Sequence, residues 1–206
     1  MTTLYLIRHG DNDLLGKRLP GWMPGLHLNA HGRAQADRLV ELLQEAAIEA
    51  IYASPLERTM ETAAPLAAAK HLSIIRRPDL RDVYPGRWQG QPLASLRRRK
   101  QWPLILAAPS LASFPEGESF AQAQNRVVSE LERIRRDHDR PQAGVAVFSH
   151  GDIIMLATAH YIGLPLDQFR RLSIEPASIS VLHIHDRSAR LIRLNDTRAT
   201  QTSPPG

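Results

Sequence analysis

Two His-Gly pairs, His9-Gly10 and His150-Gly151, each stand directly after a short apolar run. Residues 4–7 and 145–148 are compact apolar segments of the kind that forms buried parallel strands. Both histidines are then expected at the carboxyl ends of strands, the edge at which open α/β sheets bind ligands. A neutral imidazole there can attack phosphorus and form a covalent intermediate that water later opens. His9 is the candidate nucleophile, and His150 is expected to donate protons to the phosphate oxygens.

Two arginines and one aspartate could complete such a site. Arg8 and Arg58 offer paired donors that match a phosphate, and phosphoryl transfer depends largely on positioning and on cancelling negative charge. Ser54-Pro55 predicts a helix start, so that Arg58 falls in a first helical turn that itself favours anions. Asp82 could protonate the leaving alkoxide if its surroundings raise its pKa. The ordinary alternatives are a surface ion pair for Arg58, a turn cap for Asp82 and a buried, hydrogen-bonded ring for either histidine.

The order of predicted elements indicates an α/β fold, a three-layer α/β/α sandwich with a mainly parallel central sheet. Long loops at 11–29 and 79–91 should cross the edge that carries the histidines, and 92–117 should be irregular or helical. We expect residues 1–196 to form a single domain and 197–206 to be a loose tail. The predicted strands are 4–7, 48–53, 72–75, 145–148 and a hairpin of 179–184 with 190–194 joined near Asp186. The predicted helices are 32–43, 54–70, 120–136 and one that begins over 153–161.

Composition narrows the class of protein further. The 206 residues are 43% hydrophobic and contain no cysteine, which excludes disulfides, thiolate zinc sites and cysteine-nucleophile phosphatases. The sequence shows neither a signal peptide nor an apolar stretch long enough to span a membrane, so we expect a cytoplasmic protein without a membrane partner. The net charge is +5, and the basic run at 97–100 fits a solvated helix face better than a nucleic-acid groove. We expect no nucleic-acid partner, a small-molecule phosphate ester as ligand, and a monomer or homodimer.

Six sequence blocks, in order and over nearly the whole chain, resemble the histidine phosphatase superfamily in its phosphoglycerate-mutase-like branch. The resemblance implies that His9 is the phosphorylated nucleophile, that Arg8, Arg58 and His150 form the phosphate pocket, and that Asp82 is the proton donor, with no metal and no organic cofactor. The blocks are the strand and Arg-His-Gly at 4–10, LNAHGRAQA at 28–36, Ser-Pro-Leu-Glu-Arg-Thr at 54–59 with Thr62-Ala63, the Trp- and Gly-containing stretch at 80–90, Pro-Glu-Gly-Glu-Ser at 115–119, and Ser-His-Gly at 149–151.

The chain departs from the family pattern at Asp11-Asn12, where the family commonly has Glu-Thr or Glu-Ser, and at Asp82, where it usually has Glu. We expect substrate selection by the first loop through Lys17, Arg18 and Trp22, although Trp22 could equally be a packing residue. The preferred function is a metal-independent phosphomonoesterase that hydrolyses a small phosphorylated metabolite through a phosphohistidine. The alternatives are a phosphomutase, which in this family typically carries longer insertions, and a pseudo-phosphatase that binds phosphorylated ligands without turnover.

Overall fold

A six-stranded sheet in the order β3-β2-β4-β1-β5-β6 forms the centre of the computed structural model, which describes residues 1–140, 143–185 and 188–197. The strands β1, β2, β3 and β4 pair in parallel, whereas β5 and β6 form an antiparallel hairpin at the end of the sheet beyond β1. The strands are Thr2–Arg8 (β1), Ile48–Ala53 (β2), Ile74–Arg76 (β3), Ala143–Ser149 (β4), Ile179–His185 (β5) and Ser188–Asp196 (β6).

Four longer helices cover the two faces of this sheet. They are Ala30–Leu42 (α1), Glu57–Lys70 (α2), Phe120–Asp137 (α5) and Gly151–Tyr161 (α6), with the short helices Leu93–Leu96 (α3) and Trp102–Ala107 (α4) between α2 and α5. Local sequence explains two of the helix starts: Asn29 accepts from the N–H of Gly32 at the start of α1, and Ser119 and Gln122 form a reciprocal capping box at the start of α5. In the described residues, 3₁₀ helices lie at Pro78–Leu80, Gly86–Trp88, Pro109–Leu111 and Leu166–Arg171.

The core consists of two apolar clusters, one on each face of the sheet. On one face Leu39 of α1 and Leu66 of α2 pack against Ile51 and Phe148 of the sheet. On the other face residues of α5 and α6 pack against Leu4, Leu6 and Val147. Alternate residues of β1 and β4 thus point into different clusters, as the two-residue period of a strand requires. The predicted three-layer α/β/α sandwich with a mainly parallel sheet is confirmed.

Several predicted boundaries differ from the structure by two or three residues; α1 begins at Ala30 rather than at residue 32, and α6 at Gly151 rather than at residue 153. The helix predicted from Ser54 begins at Glu57 instead, with Leu56 as the preceding residue and no side-chain cap, because the Ser54 hydroxyl is engaged by His150 across the sheet edge. The third strand begins at Ile74 rather than at residue 72.

Parts of the prediction concern residues that the structure does not describe. The turn near Asp186 and the tail from 198 onward lie outside the described residues. We propose that residues 1–196 form one domain, since every strand belongs to one sheet. No helix in the described part of the chain has the length and hydropathy to cross a membrane.

Candidate active site

The two histidines lie side by side because the strands that precede them are neighbours. β1 and β4 pair in parallel with Arg8 opposite Ser149. The backbone N–H of His9 donates to the carbonyl of Ser149 at 3.0 Å, which continues the ladder past the strand end. The ring centroids of His9 and His150 are 5.2 Å apart. The carboxyl ends of these strands therefore bring two imidazoles from distant parts of the sequence into one site.

The His9 ring is buried and held in one tautomer. Its Nδ1 lies 2.8 Å from the carbonyl oxygen of Gly10, and since a carbonyl only accepts, Nδ1 carries the proton and Nε2 keeps its lone pair. Burial, followed by the positive charges of Arg58 and Arg8, lowers the pKa of His9 well below its usual value. The imidazole is therefore neutral near pH 7, the form in which it is nucleophilic.

Two glycines let helix α1 approach the backbone that follows His9. A Cβ on Gly10 would lie 2.6 Å from the carbonyl oxygen of Gly32, and one on Gly32 would lie 2.1 Å from the carbonyl oxygen of Asp11. The N–H of Asp11 also donates to the side chain of Gln35 at 2.9 Å. Larger residues at either glycine would push the helix away and move the loop that carries His9.

Arg58 is a fully buried cation, the second residue of α2. Its Nη2 donates to the carbonyl of Gly21 at 2.8 Å and to Nδ1 of His150 at 3.2 Å, and lies 3.6 Å from Oδ2 of Asp82. Its Nε and Nη1 are buried and have no hydrogen-bond partner among the described residues. Because a buried guanidinium with free donors is costly, these donors are suited to an anion that enters the site.

Arg8 adds a second guanidinium to the site. Its Nη1 donates to the carbonyl of Ile174 at 2.5 Å, and its Nε is buried without a partner in the described residues. A Cβ on Gly151 would lie 3.3 Å from Cζ of Arg8, so that the glycine of the second His-Gly pair gives the guanidinium room. Arg8 and Arg58 together leave three buried donor nitrogens for an anion.

His150 is likewise buried and neutral. Its Nδ1 accepts from Arg58, so Nε2 carries the proton and donates to the hydroxyl of Ser54 at 2.9 Å. Burial, followed by the charges of Arg58, His9 and Arg8, lowers its pKa well below the usual value. A dianionic phosphate beside the ring would favour the protonated form, in which the ring becomes a further donor.

The carboxyl group of Asp82 faces the same cluster. Its Oδ1 accepts from the N–H of Val83 at 2.9 Å, and its Oδ2 lies 3.8 Å from Nδ1 of His150. Burial raises the pKa of Asp82 to about 6, with the charge of Arg58 acting against this rise and that of Asp152 adding to it. Near pH 6 the protonated acid and the carboxylate are therefore both populated, which suits a group that acts as general acid and then as general base.

A cavity opens at this edge of the sheet, over Arg8, His9 and Asp82. One wall comes from the first loop, between residues 12 and 21, and includes Arg18. The opposite wall includes Phe114 of the segment before α5 and residues at the start of α6. The chemical groups thus lie at the strand ends, and loops form the walls around them.

The predicted substrate-loop residues differ in their placement. Of Lys17, Arg18 and Trp22, only Arg18 lines the cavity in the described part of the chain. Lys17 is exposed. Trp22 does not line the cavity in this part of the structure: its Nε1 donates to the carbonyl of Asp82 at 2.5 Å, and the Arg81 guanidinium lies 3.6 Å from the ring centroid. Trp22 therefore holds the backbone at Asp82, which fits the packing role that the sequence analysis gave as its alternative.

The structure brings Arg8, His9, Arg58, Asp82 and His150 together at one edge of the sheet, as predicted from the sequence. It also adds supporting residues that the prediction did not assign. Three of them lie inside the motif blocks but were given no role in the site, and the fourth, Arg126, had no signal in the sequence. These are Ser54, which accepts from His150; Thr62, whose hydroxyl accepts from the N–H of Gly10; Glu118; and Arg126.

Comparison with known proteins agrees with this fold. The family model described as histidine phosphatase superfamily (branch 1) matches residues 4–197. Phosphoserine phosphatase 1 of Hydrogenobacter thermophilus is 30% identical, covering 96% of this chain and 93% of the relative. A probable phosphoglycerate mutase of Proteus mirabilis is 31% identical, covering 87% of this chain and 84% of the relative.

Solved structures give the same result. YhfR of Bacillus stearothermophilus superposes with a TM-score of 0.91 at 25% identity, covering 98% of this chain and 100% of that one. A mycobacterial glucosyl-3-phosphoglycerate phosphatase superposes with a TM-score of 0.85 at 25% identity, covering 94% of this chain and 98% of that one.

The chain belongs to the histidine phosphatase superfamily, as the sequence motifs predicted. Its enzyme class is that of a phosphoric monoester hydrolase.

Proposed function

We propose that this enzyme hydrolyses phosphate monoesters of small metabolites in two steps, through a phosphohistidine at His9 and without a metal ion. One observation carries the proposal: the unprotonated Nε2 of a buried His9 lies in a cluster with two arginines, three of whose buried donor nitrogens have no partner among the described residues. The names of the relatives, phosphoserine phosphatase and glucosyl-3-phosphoglycerate phosphatase, support a small phosphorylated metabolite as substrate.

In the first step the Nε2 lone pair of His9 attacks phosphorus and the bond from phosphorus to the ester oxygen breaks. Arg8 and Arg58 hold the phosphoryl oxygens, whose charge their free donors offset. Protonated Asp82 gives its proton to the departing oxygen, so the product leaves as a neutral alcohol. The enzyme is left with phosphorylated His9 and a carboxylate at Asp82.

In the second step a water molecule attacks the phosphohistidine. The Asp82 carboxylate takes a proton from the water, the bond between nitrogen and phosphorus breaks, and inorganic phosphate leaves. In both steps His150 donates to a phosphoryl oxygen: it takes up a proton from solvent at Nδ1 when the phosphate dianion binds, so that Nδ1 no longer accepts from Arg58, and it returns this proton when inorganic phosphate leaves. The cycle ends with neutral His9 and protonated Asp82, ready for the next substrate.

Trapping of the covalent intermediate tests this proposal directly. Rapid mixing with a ³²P-labelled alkyl phosphate, followed by an alkaline quench, is expected to leave label on the protein that survives alkali and is lost in mild acid, the behaviour of phosphohistidine. Turnover is expected to continue in excess EDTA. Label that resists acid would indicate a different nucleophile. Loss of turnover in EDTA would contradict the metal-free mechanism.

Replacing Asp82 by asparagine is expected to slow hydrolysis of alkyl phosphates by about 10²- to 10⁴-fold, the usual contribution of a general acid. With the pKa of Asp82 raised to about 6, the protonated acid is lost as the pH rises through that value, so wild-type kcat/KM should fall there. The measurement is kcat/KM against pH for both enzymes. Since phosphate esters titrate in the same range, the informative quantity is the ratio of wild type to Asp82→Asn at each pH.

That ratio should be largest at acid pH and decline through about pH 6. A ratio near one at every pH would remove Asp82 from the mechanism. Tight binding of inorganic phosphate without turnover of any ester would instead support the pseudo-phosphatase alternative.

The mutase alternative has support of its own, since one relative is named a probable phosphoglycerate mutase. A mutase returns the phosphoryl group to the organic acceptor, whereas a phosphatase transfers it to water. Assaying 3-phosphoglycerate and phosphoserine for both released phosphate and isomerised product separates the two activities, and we expect released phosphate. We further propose a cytoplasmic location and a monomer or homodimer, which cell fractionation and light scattering would test.

A further inference from the structure

We propose that Arg126 and Glu118 are positioning residues, which we call the Arg126–Glu118 clamp, and that they hold the backbone around Asp82 so that its carboxyl group reaches the leaving oxygen. The inference rests on the role proposed above for Asp82. Neither residue is part of that mechanism, and Arg126 lies on helix α5, outside every motif block of the sequence analysis.

Arg126 uses all five N–H donors of its guanidinium within this one region. Nε and Nη2 donate to the two carboxylate oxygens of Glu118, each at 2.8 Å. Nη1 donates to the carbonyls of Asp79 at 2.7 Å and of Arg81 at 3.1 Å. Nη2 also donates to the carbonyl of Asp82 at 3.2 Å. One side chain thus fixes three carbonyls in the four residues that end at the proton donor.

Glu118 holds the same segment on the other side of Asp82. Its Oε2 accepts from the N–H of Tyr84 at 2.9 Å, and its own N–H donates to the carbonyl of Tyr84 at 2.9 Å. The backbones also meet closely at Gly86, where a Cβ would lie 2.1 Å from the carbonyl oxygen of Pro115. The segment is therefore anchored before and after Asp82.

The clamp acts on Asp82 through the backbone. Within the described contacts, the carboxyl oxygens of Asp82 face Val83, Arg58 and His150, and Arg126 bonds only the carbonyl. The ion pair is well shielded, with Arg126 15% and Glu118 18% exposed, so its charge-assisted bonds are stronger than those of a surface pair. Loosening it should move the carboxyl group rather than the phosphate pocket.

Movement of the Asp82 carboxyl group has a kinetic effect that loss of an ion pair with only a stabilising role would not produce. A proton donor matters most for alkoxide leaving groups, which are strongly basic, and least for p-nitrophenolate, which leaves without a proton. Displacing a catalytic group by about 1 Å can cost about 10²-fold in rate. A misplaced Asp82 should therefore slow alkyl phosphates and spare p-nitrophenyl phosphate.

The experiment compares Arg126→Gln and Glu118→Gln in the wild-type and Asp82→Asn backgrounds. For each enzyme kcat/KM is measured with β-glycerophosphate and with p-nitrophenyl phosphate, together with the affinity for inorganic phosphate and the Tm. The matched control is Arg135→Gln, because Arg135 pairs with Glu132 at 2.9 Å on the same helix and is 12% exposed, away from Asp82.

In the wild-type background we expect each clamp variant to lose about 10- to 100-fold on β-glycerophosphate and less than about threefold on p-nitrophenyl phosphate, with phosphate affinity unchanged. In the Asp82→Asn background the same substitutions should change neither rate by more than about twofold, because removing the acid removes what the clamp positions. Arg135→Gln should match wild type in the ratio of the two rates.

Equal losses on both substrates, or the full loss in the Asp82→Asn background, would overturn the clamp. If Asp82→Asn itself shows no dependence on the leaving group, the proton-donor role fails and this inference fails with it. A leaving-group effect in Asp82→Asn that is missing from the clamp variants overturns the clamp alone. Glu118→Gln keeps the shape and one acceptor oxygen of the glutamate, and it carries the test if Arg126→Gln does not fold.

Discussion

His9→Ala is expected to lower kcat by about 10⁴-fold or more, since loss of the nucleophile removes the covalent route and leaves only binding and electrostatic stabilisation. The alanine enzyme should also take up no label in the trapping experiment. Phosphate affinity should remain within about tenfold of wild type, because Arg8 and Arg58 supply the charge-assisted bonds. Steady-state rates with an alkyl phosphate, the labelled trap and calorimetric titration with phosphate measure the three effects.

His160→Ala is the matched control, because His160 is exposed on α6 and its ring meets Tyr161 edge to face. It should retain the wild-type rate and the wild-type label. Residual label in His9→Ala at wild-type stoichiometry would mean that another side chain is phosphorylated and that His9 has a supporting role.

Arg58→Lys is expected to reduce kcat/KM by about 10²- to 10³-fold, the usual result of removing preorganised donors from a developing charge. Lysine keeps the positive charge but cannot replace the planar fork of donors, of which Nε and Nη1 have no partner among the described residues while Nη2 holds Gly21. Arg58→Lys therefore tests the arrangement of the hydrogen-bond donors at this position rather than the positive charge. Rates with alkyl and aryl phosphates should fall together, because phosphate positioning serves both leaving groups.

Arg58→Met then separates the contribution of charge. Since the Arg58 charge lowers the pKa of Asp82, its removal should move the pH-dependent decline in the rate for alkyl phosphates above about pH 6. The pH dependence of kcat/KM measures this shift. A decline that moves to lower pH, or a wild-type rate in Arg58→Lys, would contradict the placement of Arg58 beside both the phosphate and the acid.

Much of this site could be predicted from the sequence because strand ends are easy to recognise. The apolar runs before His9 and His150 locate both imidazoles at one sheet edge, and the geometry of parallel strands then makes them neighbours. Asp82 and Arg58 required the motif blocks, since a lone aspartate or arginine carries no local signal. The structure confirms the sheet and the layers.

Other features depend on contacts that local sequence does not encode. Ser54 looks like a helix cap, yet its hydroxyl bonds the ring of His150, 96 residues away. Arg126 escaped prediction for the same reason: three of its partners are backbone carbonyls 44 to 47 residues away, and a carbonyl has no residue type to recognise. Trp22 belongs to the first loop, part of which lines the cavity, but its indole bonds the carbonyl of Asp82, 60 residues away.

The loop that forms one wall of the cavity is also bonded to the segment at 90–93. Segment 17–20 exchanges backbone bonds with this segment, through Leu19 with Gln91 and Gly90 and through Leu93 with Lys17, whereas the reacting groups lie on β1 and α2, directly after β1 and β4 and, for Asp82, between β3 and α3. Exchanging residues 17–20 and 90–93 as a pair between relatives, with Gly21 and Trp22 kept because they bond Arg58 and Asp82, should alter which organic group is accepted and leave the reaction itself intact. Such a division would let one ancestral catalyst diversify into enzymes for different metabolites by changes confined to its rim.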